Sequence, residues 1–201
     1  MKERPIIFNS EMVRAILDGR KTQTRRVVTK SSASILSLLE HYPHKNYSLH
    51  CSLGQPGDRL WVRETWMPDA PRDGTWGDVE FYGCKGSPLS MIPLRYRTPE
   101  HCIYRAGWDG HEMVGWTPSI HMPRWASRIT LEITAVRVER LNDISDVDAT
   151  AEGCSTTDMK SGDCLADVFA RLWSSIYGTD SWGANPWVWV IEFKRVEASN
   201  D

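Results

Sequence analysis

A basic segment near the N-terminus combines residue types that could perform nucleophilic catalysis. The segment DGRKTQTRR contains Lys21, Thr24 and three arginines, Arg20, Arg25 and Arg26. A threonine hydroxyl becomes an effective nucleophile when a neighbouring group removes its proton, and a lysine can do so only in its neutral form. Positive charges nearby lower the pKa of an ammonium group, so the arginines favour a neutral lysine. The spacing therefore permits a threonine nucleophile with a lysine base.

The same segment has other interpretations, which stay open at this stage. Lys21 could be charged and bind a phosphate group, or the whole segment could be the solvated end of a helix. Thr22 is a second threonine in the segment. It would replace Thr24 as the candidate nucleophile if the turn were arranged differently.

The elements on either side define where this segment should lie. SEMVRAILDG predicts a helix, because its apolar residues recur at helical spacing. A cap at Asn9 or Ser10 would begin the helix, and Gly19 would end it. Two valines at Val27 and Val28 suggest entry into a strand. We therefore expect the lysine and the threonine to lie in a loop between the helix and this strand.

The next part of the chain is less regular. Residues 29–56 show no clear periodicity, and we expect an irregular excursion there. PGDRLWVRETW indicates a turn followed by a strand from Arg59 to Trp66. The chain from Met67 to Pro123 is rich in proline, glycine and tryptophan. We interpret residues 66–125, approximately, as an insertion within a single domain of residues 1–201.

The C-terminal part has the clearest patterns. SRITLEITAVRVERL predicts a long half-buried strand, and a short helix capped by Ser145 should follow and end before Gly153. DCLADVFARLWSSIYG has apolar residues at the spacing of an amphipathic helix. PWVWVIEFKRV predicts a last strand. The order favours a mixed α/β (α+β) domain whose strands curl into a small barrel, although periodicity alone does not distinguish a barrel from an open sheet.

Composition excludes some classes of function. The 201 residues carry a formal net charge of −2, which argues against a globally basic nucleic-acid coat. No apolar run approaches the length of a membrane span, and the first residues lack the apolar stretch of a signal peptide. We therefore expect a cytoplasmic protein with no membrane partner. The five cysteines form no C-x-x-C pair, so we expect no metal site and no disulfide framework.

Three further residues are weaker candidates for contacting a substrate. Glu64 lies in the predicted strand, where its side chain could face a pocket. Trp66 offers a flat surface on which a base could stack, as do other tryptophans, but a role in packing is the favoured interpretation for each of them. His121 could orient a substrate or assist proton transfer, but a single histidine is often only structural.

The motifs together resemble the ASCH domain, a small barrel similar to the PUA RNA-binding fold. GRKTQTRR resembles its glycine, lysine, threonine and arginine signature, and GDRLWV, LEITAVRVERL, AEG and VWVIEFKRV resemble the rest in the same order. These segments cover about half of the chain. The pattern is most similar to bacterial ASCH amidohydrolases that remove the acyl group from N4-acetylcytidine. The larger, tryptophan-rich form resembles versions common in phages and prophages.

The resemblance implies roles for particular residues. In those amidohydrolases a threonine is the nucleophile, a lysine activates it and a glutamate completes the triad. These positions match Thr24, Lys21 and Glu152 here. Arg20, Arg25 and Arg26 would then bind the substrate or stabilise an oxyanion. A small nucleoside would be the substrate, and no metal or cofactor would be required.

A different class of function uses the same segment. The family resemblance also allows an RNA-binding module, or a ribonuclease, that holds a single strand through stacking and phosphate contacts. A binding module does not need a glutamate beside the lysine, and it would be expected to carry more positive charge than this chain has. The presence of Lys21, Thr24 and Glu152 together favours the hydrolase.

Overall fold

The computed structural model of the chain describes residues 1–42, 44, 49–69, 88–110 and 115–196. The helices in these ranges are α1 (Ser10–Leu17), α2 (Lys30–His41), α3 (Asp146–Ala151), α4 (Leu165–Tyr177) and α5 (Asp180–Gly183). The strands are β1 (Glu3–Ile7), β2 (Gln23–Val27), β3 (Arg59–Arg63), β4 (Trp66–Pro68), β5 (Cys102–Tyr104), β6 (Thr130–Arg140) and β7 (Trp187–Val196). Short 3₁₀ turns connect several of them.

Five of the strands form one sheet in the order β1-β3-β6-β7-β2, and β4 pairs with β5 in a second sheet. β2 runs antiparallel to β7, with Thr24 opposite Ile191 and Arg25 opposite Val190. The predicted mixed class of helices and strands is confirmed. Among the described strands no closed barrel is assigned, so closure of the sheet stays a prediction.

The chain divides into two compact units. The first contains Met1–Lys2, Ala15–Arg59 and Glu132–Lys194. Its core joins α3 and α4 to β7: Val168, Phe169 and Trp173 of α4 pack with Val188 and Val190 of β7. Alternate residues of a strand share a face, which is why two valines separated by one residue reach the same helix. This packing positions the end of α3 beside β2.

The second unit contains Glu3–Arg14 and Leu60–Leu131, together with the C-terminal residues from Arg195. Trp66, Tyr104, Met122 and Ala126 form a buried apolar cluster within it. The Tyr104 hydroxyl donates a hydrogen bond to the carbonyl oxygen of Ala126 at 2.8 Å. The interpretation of the chain as a single domain with an insertion stays a prediction.

Three segments differ from the sequence-based expectation. The strand expected from Arg59 to Trp66 ends at Arg63, and β4 begins at Trp66, so Glu64 lies between two strands. Residues 30–41, expected to be irregular, form α2, which Thr29 caps through its hydroxyl oxygen. Leu36 is the residue of α2 that is buried, so the helix has too narrow an apolar face to show periodicity. β2 begins at Gln23 and not at Val27, which places Thr24 in a strand and not in a loop. Backbone pairing with β7 overrides the weak local preference of a polar sequence.

In the part of the chain that the structure describes, none of the helices combines the length and the apolar character needed to cross a lipid bilayer.

Candidate active site

Backbone hydrogen bonds fix the segment between α1 and β2. The amides of Arg20 and Lys21 both donate to the carbonyl oxygen of Ala15, each at 2.9 Å. The Thr22 amide donates to the carbonyl oxygen of Ala151 at 2.8 Å. Gly19 has a φ of 74°, the left-handed conformation that ends α1 and turns the chain. The segment is thereby held against the ends of both α1 and α3.

Lys21 is buried in this segment and paired with a carboxylate. Its side chain is enclosed, and Nζ donates to Glu152 Oε2 at 2.6 Å and to the Glu152 carbonyl oxygen at 2.8 Å. Burial lowers the pKa of Lys21 below its ordinary value, because a charged ammonium loses its hydration. The negative charge of Glu152 opposes this shift without cancelling it. A lysine with a lowered pKa is better suited to accept a proton than an exposed one.

Glu152 owes its position to the way α3 ends. Ser145 caps the start of α3 in a reciprocal hydrogen-bond arrangement with Asp148, and Glu152 follows the last helical residue. Gly153, with a φ of 95°, then turns the chain away. Arg25 Nη1 contacts Glu152 Oε1 at 3.3 Å. Each oxygen of this buried carboxylate therefore faces a different cation.

Arg25 also joins Glu152 to a larger cluster of charges. Arg25 Nη2 lies 3.1 Å from Glu139 Oε2 and 3.5 Å from Asp148 Oδ2. Arg137 contacts the same two carboxylates, with Nη2 at 2.8 Å from Asp148 Oδ1. Burial raises the pKa of Asp148, but hydrogen bonds from Ser145 and Gln23 and the charge of Arg25 bring it below its ordinary value. The cluster holds Arg25, and through it Glu152, in place.

The sequence-based interpretation did not include Glu139, Asp148 or Arg137. Arg137 and Glu139 lie two residues apart on β6, so their side chains share a face of the strand. This alternation of charges within a half-buried strand was a signal that could have identified them. Asp148 was visible as the partner of the predicted cap Ser145.

Thr24 is buried, with 1 % of its surface exposed. Alternation along β2 places its side chain on the face opposite to that of Arg25. The two hydrogen bonds described above for Lys21 Nζ both go to Glu152. The structure thus brings Lys21 and Glu152 together and places Thr24 three residues away on the adjoining strand. Its role as nucleophile stays a prediction.

The other two arginines of the segment have different environments. Arg20 is exposed, and its guanidinium contacts Asp18 at 3.1 Å and the carbonyl oxygen of Gly153 at 3.2 Å. Arg26 is partly buried and donates to the carbonyl oxygen of Arg25 at 3.3 Å. These two side chains are therefore more accessible to a ligand than Arg25, whose side chain is enclosed.

The remaining predicted substrate contacts belong to the second unit. Glu64 is buried and accepts two hydrogen bonds from Arg128, both at 2.9 Å. Burial raises the pKa of Glu64, and Arg128 opposes that shift. Trp66 is fully buried in the apolar cluster and contacts Trp125 edge to face. His121 is exposed at the end of a 3₁₀ turn. In the structure Trp66 packs in the core and Glu64 forms an ion pair. The contacts of Glu64, Trp66 and His121 with a substrate stay predictions.

A cysteine close to the lysine is a poor alternative nucleophile. Cys154 follows Gly153 and is buried. Burial raises the pKa of its thiol to about 11. Since the thiolate is the reactive form, this side chain is inert at neutral pH.

Replacement of Gly153 by alanine should destabilise the protein and disturb Lys21. A Cβ at this position would lie 3.1 Å from Ala15 Cβ and 3.3 Å from Lys21 Cβ, in addition to the strain of a positive φ. We expect a loss of about 2–4 kcal/mol in the free energy of unfolding. Urea unfolding of the purified variant measures this loss.

Gly162 provides the matched control for that variant. It has a similar φ of 89°, but an added Cβ would meet nothing within 4 Å. Gly162→Ala should therefore cost only the conformational strain, about 1–2 kcal/mol. Equal losses in the two variants would show that crowding against Lys21 is absent.

Comparisons with known proteins give two solved structures that resemble the chain. No protein-family model matches the chain, and no curated protein matches it. The chain is similar to the crystal structure of a protein from Enterococcus faecalis described by the family model DUF984, with a TM-score of 0.42 and 11% identity over 100% of this chain and 84% of that chain. It is also similar to an ASCH domain from Lactobacillus crispatus, with a TM-score of 0.41 and 12% identity over 96% of this chain and 79% of that chain. The second carries the family name that the sequence motifs resemble.

Proposed function

We propose that the protein is an amidohydrolase that removes the acyl group from N4-acylated cytidine. The observation that carries the proposal is the enclosed Lys21–Glu152 pair, with Nζ and Oε2 separated by 2.6 Å, next to the strand that bears Thr24. A buried lysine with a lowered pKa is the kind of base that a threonine nucleophile requires.

The reaction would begin with proton transfer from the nucleophile. Thr24 Oγ attacks the acyl carbonyl carbon while the neutral amine of Lys21 takes the hydroxyl proton. For this step Lys21 Nζ must lie within hydrogen-bond distance of Thr24 Oγ when the substrate is bound, and catalytic hydrogen bonds often shorten in that complex. Backbone amides or the accessible Arg20 and Arg26 would stabilise the oxyanion.

The second half returns the enzyme to its starting state. The bond between the acyl carbon and the exocyclic nitrogen breaks, and cytidine leaves with a proton from Lys21 or Glu152. Water then hydrolyses the threonyl ester, releases the carboxylic acid and restores the Thr24 hydroxyl. Every proton in this sequence moves between the substrate, water, Thr24 and the Lys21–Glu152 pair.

The environment of the basic segment supports the hydrolase over the RNA-binding alternative. A module that binds a single strand needs accessible cations to contact phosphates. The side chains of Lys21 and Arg25 are enclosed and contact carboxylates. Of the four cations in the segment, Arg20 and Arg26 are the ones with accessible surface.

Absorbance spectroscopy with N4-acetylcytidine tests the proposed activity. We expect the purified protein to convert the absorbance of the acylated base to that of cytidine, with a rate that changes little with salt. Titration with single-stranded RNA at low and high salt gives the comparison. Absence of turnover combined with salt-sensitive RNA binding would favour the binding module instead.

A further inference from the structure

The second compact unit contains a cavity that none of the candidate catalytic residues lines. Its volume is about 540 Å³, within the range of small-molecule sites. The residues that line it are Asn9, Ser10, Glu11, Arg14, Arg105 and Trp108. They come from the start of α1 and from the segment that follows β5.

Two guanidinium groups give the cavity its chemical character. Arg14 Nη1 donates to the carbonyl oxygen of Ala106 at 3.3 Å, and the Arg105 guanidinium lies 5.6 Å from the ring centroid of Trp116. Within the described part of the chain, Arg14 contacts this carbonyl oxygen and Arg105 contacts this ring, and neither guanidinium forms an ion pair with a carboxylate. Glu11 is the one acidic residue in the lining, so the charge of the lining is positive. A guanidinium group can bind a phosphate through two parallel N–H donors.

Trp108 adds a flat apolar surface to the same cavity. Its indole is partly buried and packs edge to face against Trp116, with ring centroids 6.4 Å apart. A Cβ at Gly110 would lie 2.6 Å from Trp108 Cζ2, so the glycine leaves the space that the indole occupies. Aromatic side chains next to arginines are a common platform for a base.

We propose that this cavity binds a nucleoside monophosphate, with the phosphate on Arg14 and Arg105 and the base on Trp108. The Ser10 hydroxyl can donate a further hydrogen bond to the phosphate, and Glu11 can accept one from a ribose hydroxyl. The side-chain oxygen of Asn9 accepts from the Met12 amide at 2.8 Å, so its amide nitrogen is the atom that can donate to a ligand. The site is independent of acyl hydrolysis and does not rest on it.

Isothermal titration calorimetry with cytidine 5′-monophosphate tests the proposal, with cytidine and inorganic phosphate as separate probes. We expect saturable binding of the monophosphate and binding at least about tenfold weaker for cytidine. Arg105→Gln should lower the affinity for the monophosphate by about tenfold or more. Trp108→Leu should weaken the binding of the monophosphate and leave the affinity for inorganic phosphate unchanged.

Arg95→Gln is the matched control. Arg95 belongs to the same unit and stacks on an aromatic ring, 4.7 Å from the centroid of Tyr96, but it does not line the cavity. The Arg95→Gln variant should bind the monophosphate with the affinity of the wild-type protein. Equal weakening in Arg95→Gln and Arg105→Gln, or no saturable binding by the wild-type protein, would overturn the proposal.

Two further arms identify the source of the ligand and separate this site from the hydrolase. The first experiment uses a trinucleotide with a 5′-phosphate. If it binds more tightly than both the free monophosphate and the same trinucleotide with a 5′-hydroxyl, the ligand is the end of an RNA strand. If the free monophosphate binds more tightly than the trinucleotide, the ligand is a free nucleotide. Both results support binding of a phosphate and a base in this cavity. Thr24→Ala should bind the monophosphate normally, so the outcome does not depend on whether the protein hydrolyses an amide.

Discussion

Replacing Thr24 with valine should reduce the turnover of N4-acetylcytidine by at least about a thousandfold, to the background rate. Valine keeps the volume of the buried side chain and removes the hydroxyl that we propose as the nucleophile. Thr24 is 1 % exposed, and because valine has nearly the same volume this replacement leaves no cavity and the folded state should persist. Absorbance kinetics measure the loss, and circular dichroism confirms the fold.

Two companion variants decide whether the hydroxyl at this position is the nucleophile. Thr24→Ser retains a hydroxyl and should keep measurable turnover. Thr22→Ala removes the exposed neighbouring threonine and should behave like the wild-type protein. If Thr22→Ala lost activity and Thr24→Val kept it, the assignment would pass from Thr24 to Thr22.

Replacing Glu152 with glutamine should have the largest effect on stability. It leaves Lys21 enclosed without its counter-charge and weakens the contact to Arg25. Removing one member of a buried ion pair costs about 3–5 kcal/mol, because the remaining charge is neither hydrated nor paired. Urea unfolding at pH 7 should show a loss of this size.

The pH dependence of that loss identifies Lys21 as its cause. Burial holds the pKa of Lys21 below 10.5 in the folded state, and Glu152 opposes this shift, so its removal lowers the folded-state pKa further. The contribution of such a group to stability is complete above the unfolded-state pKa and decreases as the pH falls toward the folded-state pKa. The deficit of Glu152→Gln relative to the wild-type protein should therefore shrink between neutral pH and about pH 10.

An exposed ion pair gives the control for this measurement. Asp18 contacts Arg20 at 3.1 Å with both side chains largely accessible. Asp18→Asn should cost less than about 1 kcal/mol, because water compensates for the lost partner. A deficit of Glu152→Gln that was equally small, or independent of pH, would argue against a strongly buried pair.

Local patterns explain what could be predicted from the sequence. The cap at Ser145, the turn at Gly153 and the apolar spacing of α4 each depend on neighbours a few residues away, and the structure contains all three. Helix α2 was missed because Leu36 alone of its residues is buried. The early start of β2 was missed because it depends on pairing with β7, far along the chain.

In the candidate site, too, the features that depend on neighbouring residues could be predicted and those that depend on distant residues could not. The spacing of Lys21 and Thr24 is local, and their types suggest the chemistry directly. Glu152 is 131 residues from Lys21, and no periodicity could place the two together. Only the resemblance to the ASCH motifs indicated that pairing. The contacts of Arg25 with Glu139 on β6 and Asp148 on α3 were missed because both carboxylates are far from Arg25 in the sequence.

The shared carboxylate of Glu152 also restricts how the sequence can change in evolution. A substitution of Lys21 or Glu152 alone leaves an uncompensated charge in the interior, so related chains should keep both residues or lose both. A relative in which apolar residues replace the two would fold without a base beside Thr24. If the proposed function holds, joint presence or absence of this pair should separate relatives that hydrolyse an amide from relatives that retain only the scaffold.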